Sequence, residues 1–266
     1  MNAPQGIEFE THGPVRVIAL NRPEKRNALD LATREHFAVA VQQAMEDEEV
    51  RVIVITGRGG HFCAGGDISS MRGSGPMTAE AGRVRMRSTL RNAERLYSGD
   101  KIVVAAVEGC AYGGGFGLAL LADLVIAAKS ARFCMSFSRV GLVPDNASMY
   151  TLPRAVGLQR AKEIMLSARE VHAEEARDLG IAMEIVADGA ALQRALSVAQ
   201  GVSTASPSAT AMTKSALNRS FASDLATMVE LESAAQGIAF SSEYHRDAVE
   251  RFSNRQPAKF NWPPST

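Results

Sequence analysis

The chain has 266 residues, enough for one or two domains with a sizeable core. Hydrophobic residues make up 46% and charged residues 22%, the ordinary globular balance. Lys+Arg and Asp+Glu number 29 each, and this zero net charge excludes a global electrostatic pull toward nucleic acid or an anionic membrane.

Ile7-Glu8-Phe9-Glu10 and Val15-Arg16-Val17-Ile18-Ala19-Leu20 read as two strands. The turn residues Thr11-His12-Gly13-Pro14 between them predict a hairpin. Asp30 reads as the N-cap of a helix from about Leu31 to Glu48, with Phe37, Val41 and Met45 on one stripe. Val52-Ile53-Val54-Ile55 is short and wholly apolar, the pattern of a strand buried on both faces. A glycine-rich loop, Thr56 to Gly66, precedes a long helix over about Thr78–Tyr97. Next come a strand at Ile102 to Val107, a triple-glycine turn, and a helix through Leu118-Ala119-Leu120-Leu121-Ala122. Leu124 to Ala127 and Arg132 to Met135 read as further short strands.

Beyond Asn146 the pattern is mostly helical. Pieces are expected near Ala147–Val156, Gln159–Leu166, Ala173–Asp178, Ala190–Thr204, Pro207–Phe221 and Asp224–Val249, with one strand near Met183–Val186. Alternating strands and helices predict an α/β fold built on a parallel sheet over residues 1–200. Residues 201–266 form a helical region, ending in a polar tail from Arg255. Cys63, Cys110 and Cys134 lack metal-ligand spacing, so no metal is expected, and so few cysteines predict a reduced, cytoplasmic setting. Met1 to Glu10 lacks the basic start and apolar core of a signal peptide. No apolar run approaches the roughly 20 residues that span a bilayer.

The chemistry concentrates in two glycine loops. Ala111-Tyr112-Gly113-Gly114-Gly115-Phe116-Gly117 opens a helix whose first N–H groups are free to meet negative charge. Gly57-Arg58-Gly59-Gly60-His61-Phe62-Cys63-Ala64-Gly65-Gly66-Asp67-Ile68 likewise follows a strand. Neither is a P-loop, because no Gly-Lys-Ser/Thr follows the glycines. Taken singly, each loop also fits close packing of helix on strand through glycine.

Together the loops are more specific, and the sequence resembles the crotonase (enoyl-CoA hydratase/isomerase) superfamily over nearly its whole length. The resemblance rests on Asn21-Arg22-Pro23-Glu24-Lys25-Arg26-Asn27-Ala28-Leu29, on Phe62 to Ile68, and on Val107-Glu108-Gly109-Cys110-Ala111-Tyr112-Gly113-Gly114-Gly115. Val140-Gly141-Leu142-Val143-Pro144-Asp145 and Leu152-Pro153-Arg154-Ala155-Val156-Gly157 extend it. It implies a spiral of ββα units, a C-terminal helical trimerisation region, and trimers or dimers of trimers. It also implies an acyl-CoA thioester as substrate, with coenzyme A part of that substrate and no separate cofactor. By position, the Gly66 and Gly114 amides form the oxyanion hole. Two preplaced donors stabilise the enolate that forms when a proton beside a thioester leaves. Substrate contacts are implied at Lys25, Arg26, Ala28, Ala64, Gly65, Asp67, Ile68 and Phe137. Lys25 and Arg26 read equally as a solvated turn, and Lys259 and Phe260 are expected to approach coenzyme A from a neighbouring subunit.

The family's hydratases use two glutamates, and the matching positions here are Gly117 and Phe137. Neither residue moves a proton. Asp145 is the one carboxylate in the right region. A single carboxylate suffices for a 1,3-proton shift of a double bond. Phe137, Leu142 and Met149 lie near it in sequence, and desolvation by them would raise its pKa. Asp145 reads alternatively as the N-cap of a helix beginning at Asn146. His61, Ser148 and Tyr150 are weaker candidates, and Asp67 reads better as a cap of the next turn than as a reactant. Arg83, Arg87, Arg91 and Arg95, with Arg85 between, read as a charged, solvated helix face or as recognition of a carboxylate on the acyl group. The favoured expectation is an enoyl-CoA isomerase using Asp145, Gly66 and Gly114. The alternatives are a hydratase with unorthodox groups and a non-catalytic acyl-CoA binder.

Overall fold

A computed structural model describes residues 6–71 and 77–264, without the side chains of Ser70, Met71, Arg85 and Ser88. Residues 72–76 and the Arg85 side chain therefore lie outside the description.

The chain begins with a hairpin of β1 (Ile7–His12) and β2 (Val15–Leu20), paired antiparallel, followed by α1 (Leu31–Glu46). Asp30 caps α1 by accepting the Thr33 N–H at 2.8 Å. Strand β3 (Val52–Gly57) lies parallel to β2, and helix α2 (Ala79–Ser98) leads to β4 (Ile102–Val107), parallel to β3. Then follow β5 (Cys110–Tyr112), α3 (Gly114–Leu120), β6 (Leu124–Ala128) and β7 (Arg132–Cys134). The later elements are α4 (Ser148–Val156), α5 (Leu158–Ser167), β8 (Glu170–His172), α6 (Ala173–Asp178), β9 (Glu184–Val186) and α7 (Ala191–Ser203). Helices α8 (Pro207–Ser220), α9 (Leu225–Ser241) and α10 (Glu243–Ser253) complete the chain.

Two sheets result. The larger has the order β1-β2-β3-β4-β6-β9, and the smaller β5-β7-β8. Side chains alternate across a strand, so the apolar run of β3 serves two cores. Ile53 and Ile55 join Ile18, Leu20, Val103 and Ala105 in a core shared with α1, α2 and α3. Val52 and Val54 join Val15, Val17, Val104 and Ile126 on the opposite face, which α7 covers with Ala195, Val198 and Ala199. The expected division after residue 200 falls in the last turn of α7.

Four details differ from the sequence reading. The triple glycine does not leave β4 directly, because β5 intervenes and belongs to the second sheet. β5 and β8 have three residues each, too few to show an alternation. The helix expected over 224–249 is two helices. Ser242 leaves helical geometry at ψ 148° and caps α10 by accepting the His245 N–H at 3.1 Å. Helix α4 starts at Ser148, because Asn146 and Ala147 both hold left-handed backbone, at φ 49° and 56°. Among the described residues no helix is long and apolar enough to cross a membrane.

The C-terminal helices are tied to the sheet by a buried ion pair. Lys214 Nζ on α8 lies 2.9 Å from Asp123 Oδ2 and donates to the carbonyls of Leu96 and Lys101, each at 2.9 Å. Asp123 also accepts the Val103 N–H at 2.8 Å. Removing one partner strands a buried charge, at a cost of about 3–5 kcal/mol. Lys214→Met should therefore lower stability by about 3 kcal/mol in thermal or urea unfolding. An unchanged midpoint would show that the pair does not anchor α8.

Candidate active site

Three segments converge on the site. The first is the turn after β2, where Arg26 and Asn27 hold left-handed backbone at φ 49° and 58°. The buried Asn27 side chain fastens this turn to the first glycine loop. Its Oδ1 accepts from Arg22 N at 2.9 Å, and its Nδ2 donates to the carbonyls of Arg58 at 2.9 Å and His61 at 2.6 Å. Main-chain bonds continue the contact: Ala64 N–H to Arg26 O, Leu29 N–H to Gly65 O at 2.7 Å, and Asp67 N–H to Leu29 O.

The first glycine loop then meets the second. Cys63 N–H donates to Cys110 O, and Tyr112 N–H donates to Cys63 O, both at 2.9 Å. The contact requires glycine. Gly65 has φ 89°, and a Cβ there would stand 2.6 Å from Tyr112 O and 3.3 Å from Gly114 N. A Cβ on Gly115 would stand 2.3 Å from Cys63 O. The contacts at 2.6 and 2.3 Å are shorter than a Cβ tolerates, so the two backbones approach only because no side chain separates them. Gly113 N–H is donated to Cys134 O and Gly117 N–H to Gly113 O. Among the described residues, the amides of Gly66 and Gly114 make no such bond. Two unclaimed donors at adjoining loops can serve a developing oxyanion.

The third segment carries Asp145. Its Oδ1 lies 3.3 Å from where a Gly114 Cβ would stand, is buried, and has no hydrogen-bond partner. The neighbouring Asn146 Nδ2 donates to Gly114 O at 2.8 Å, which fixes the loop against the helix start. Burial raises the Asp145 carboxyl above the ordinary carboxylate range, opposed by the positive charge of Arg34. The carboxylate does not cap α4, whose N-cap Ala147 receives no side-chain bond.

Asp145 and Gly114 open on a cavity of about 950 Å³. Its apolar lining comes from Leu29, Phe37, Ala93, Leu96, Leu118 and Leu121, with Arg34, Glu35 and Asn92 as polar members. The residues expected to desolvate Asp145 are placed otherwise. Leu142 and Met149 are half exposed, and Phe137 packs beside Gly113 rather than lining the cavity. The desolvating walls belong to α1, α2 and α3.

The remaining sequence candidates are distributed as follows. Lys25, Arg26 and Ile68 are exposed, Ala28 is buried, and Ala64 is partly exposed. Asp67 pairs with Arg22 at 3.2 Å and accepts the Ser69 N–H at 3.0 Å. The Ser69 hydroxyl, which also donates to it, holds its carboxyl below the usual range, with help from Arg22 and the Ser69 N–H. His61 Nδ1 accepts the Cys110 N–H at 3.3 Å, and burial lowers its pKa. The Tyr150 ring stacks on the Arg154 guanidinium 3.4 Å away and meets Tyr97 edge-on. Ser148 is fully buried with its hydroxyl unpartnered. Burial pushes the Cys63 thiol up to about 12, which leaves it unreactive. Lys259 pairs with Asp247 at 2.6 Å, and Phe260 lines a separate groove with Phe240 and Trp262. Arg83, Arg87, Arg91 and Arg95 are exposed on α2, with Arg83 paired to Glu80, and none lines the cavity.

Sequence reading missed Asn27 and Asn92. Asn92 had a signal. Thr89, Asn92, Ala93 and Leu96 share the helix face opposite the exposed arginines, which marks that face as the inner one.

The fold and the paired glycine loops define a class: the enoyl-CoA hydratase/isomerase family model matches residues 10–263, and the chain belongs to that family. Its fold is that of the crotonase superfamily, and it acts as an enzyme on acyl-CoA. A solved enoyl-CoA hydratase/isomerase from Cupriavidus metallidurans CH34 is similar over 100% of both chains, with TM-score 0.92 and 40% identity. A probable enoyl-CoA hydratase from Rhodobacter capsulatus is 36% identical, over 96% of this chain and 97% of its own. The 1,2-epoxyphenylacetyl-CoA isomerase of Escherichia coli K12 is 33% identical, over 92% and 94%.

The resemblance matches Gly117 to a hydratase glutamate, and its surroundings leave little space for a larger residue. A Cβ there would stand 2.8 Å from Asn146 Cβ and 3.1 Å from Asp145 O. The Asp145 loop occupies the space a larger residue needs. Gly117→Glu should therefore displace this loop, lower stability by about 1–3 kcal/mol, and create no hydratase activity. Appearance of 3-hydroxyacyl-CoA from a 2-enoyl-CoA in that variant, by mass spectrometry, would contradict the placement.

Proposed function

We propose that the protein is an enoyl-CoA isomerase, with Asp145 as the proton shuttle and the Gly66 and Gly114 amides as the oxyanion hole. The observation that carries this reading is the buried, unpartnered Asp145 Oδ1 beside Gly114, with glycine at the hydratase glutamate position. The thioester oxygen of a 3-enoyl-CoA sits between the two amides. Asp145 removes a proton from C2, and the electron pair moves onto the thioester oxygen as a dienolate. The same carboxyl returns the proton to C4, and the double bond ends between C2 and C3. No water enters, so the missing second carboxylate is not needed. One amide donor contributes about 10²–10³ in rate. Lys25 and Arg26 stand exposed beside the loop, where the phosphates of coenzyme A would meet them. The relative named as a 1,2-epoxyphenylacetyl-CoA isomerase supports isomerisation as the reaction class, and the relative named as a probable hydratase keeps addition of water as the rival outcome.

The pH dependence has a definite sign. A carboxyl raised by burial is protonated, and inactive as a base, up to a higher pH than an ordinary aspartate at about 3.9. kcat/KM should fall as pH drops through this raised value. Asp145→Asn should reduce 3-enoyl-CoA isomerisation by at least about 10²-fold and remove the acidic limb. Turnover that survives Asp145→Asn with its pH profile intact would overturn the assignment.

The reading also includes a homo-oligomer, a trimer or dimer of trimers. It is supported by exposed apolar side chains on and beside the C-terminal helices: Phe221 is 74% exposed, Leu225 80% and Phe252 86%. Light scattering should give three or six chains, and Leu225→Glu with Phe252→Glu should lower that number. A monomer at micromolar concentration would contradict it.

A further inference from the structure

The Gly66 amide stands at the end of a hydrogen-bonded series that begins at a cation. Arg22 Nη1 donates to Ala28 O at 2.6 Å. Ala28 O and the Leu29 N–H belong to one peptide group, and that N–H donates to Gly65 O at 2.7 Å. Gly65 O and the Gly66 N–H belong to a second peptide group. Both peptides are trans, so in each the C=O and the N–H point in opposite directions. The bond from Leu29 therefore aims the Gly66 N–H away from the Arg22 turn, to the side where no backbone carbonyl claims it.

The same guanidinium grips both sides of the Leu29–Gly66 bridge. It pairs with Asp30 Oδ2 at 3.1 Å, just after Leu29, and with Asp67 Oδ2 at 3.2 Å, just after Gly66. The Asp67 N–H in turn donates to Leu29 O at 3.1 Å. The Arg22 side chain is only 18% exposed, so water competes little for its donors. Hydrogen bonds in series polarise one another by about 10–30% per bond, and a charged donor makes the first bond a strong one. Gly114 opens α3, whose aligned peptides favour negative charge at its N–H, whereas Gly66 is followed by a single 3₁₀ turn, Ile68–Met71. At Gly66 the series from Arg22 takes the place of a helix.

We propose that Arg22 is a positioning residue for the oxyanion hole, which orients and polarises the Gly66 N–H through the Ala28–Leu29 and Gly65–Gly66 peptide groups. The proposal rests on the reading of Gly66 as an oxyanion donor, and it holds whether the enolate leads to isomerisation or to another product.

The test is the infrared stretch of a carbon-13-labelled thioester carbonyl in a saturated acyl-CoA bound to the intact protein. Binding to the wild type should lower the frequency relative to the free ester in buffer. Arg22→Met should bind the ester and show a smaller lowering. Its kcat on a 3-enoyl-CoA should fall about tenfold, a part of the 10²–10³-fold one donor supplies, with KM little changed. Arg22→Lys, which keeps a charged donor, should recover most of both effects. Asp30→Asn, which removes an ion pair and leaves the Ala28 bond, should keep the wild-type frequency. If Arg22→Met does not fold, Arg22→Gln carries the test, its neutral amide giving an intermediate lowering. A wild-type frequency in the Arg22 variant, or an equal loss in Asp30→Asn, would overturn the proposal. A protein that turns over no 3-enoyl-CoA loses the isomerase reading, and the infrared comparison still decides the role of Arg22. No lowering on binding to the wild type would end the oxyanion-hole reading, and this proposal with it.

Discussion

The structure depends on one close approach, the passage of the Gly65 backbone against Tyr112 O and Gly114 N with no room for a Cβ between them. Everything that defines the site follows from that contact. It brings the amides of two loops, almost fifty residues apart in sequence, to one place while leaving both unspent. The parallel register of β3 and β4, and the bridge from Cys63 to Ala111 in β5, bring the loops together. The Asn27 side chain and the Leu29–Gly66 bridge hold the first loop from behind. Preorganised donors of this kind need no rearrangement when negative charge forms, which is why their effect on rate is large.

A second constraint acts on the carboxylate. The Asp145 loop enters the space that Gly117 leaves open, with Asn146 and Ala147 held in left-handed backbone. Residues in that region cost free energy and persist where surrounding contacts over-determine them. Here the Asn146 bond to Gly114 O supplies such a contact. The result is a buried carboxyl beside a largely apolar cavity.

Much of this was legible in the sequence. The wholly apolar Val52–Ile55 announced a strand serving two cores, and Asp30 announced the start of α1, because both are local patterns. The paired glycine loops were legible from residue type and motif. What was not legible depended on distance. β5 and β8 exist through pairing with β7, not through any pattern of their own. The walls around Asp145 come from α1, α2 and α3 rather than from its chain neighbours Leu142 and Met149. Asn27 has an ordinary polar sequence context, and only the fold reveals that it is buried.

The most direct test is the fate of a 3-enoyl-CoA in deuterium oxide, followed by mass spectrometry and proton NMR. A single shuttling carboxylate under an oxyanion hole predicts 2-enoyl-CoA, with any deuterium confined to C2 and C4 and no hydroxyacyl product. Accumulation of 3-hydroxyacyl-CoA, heavier by the elements of water, would contradict the account.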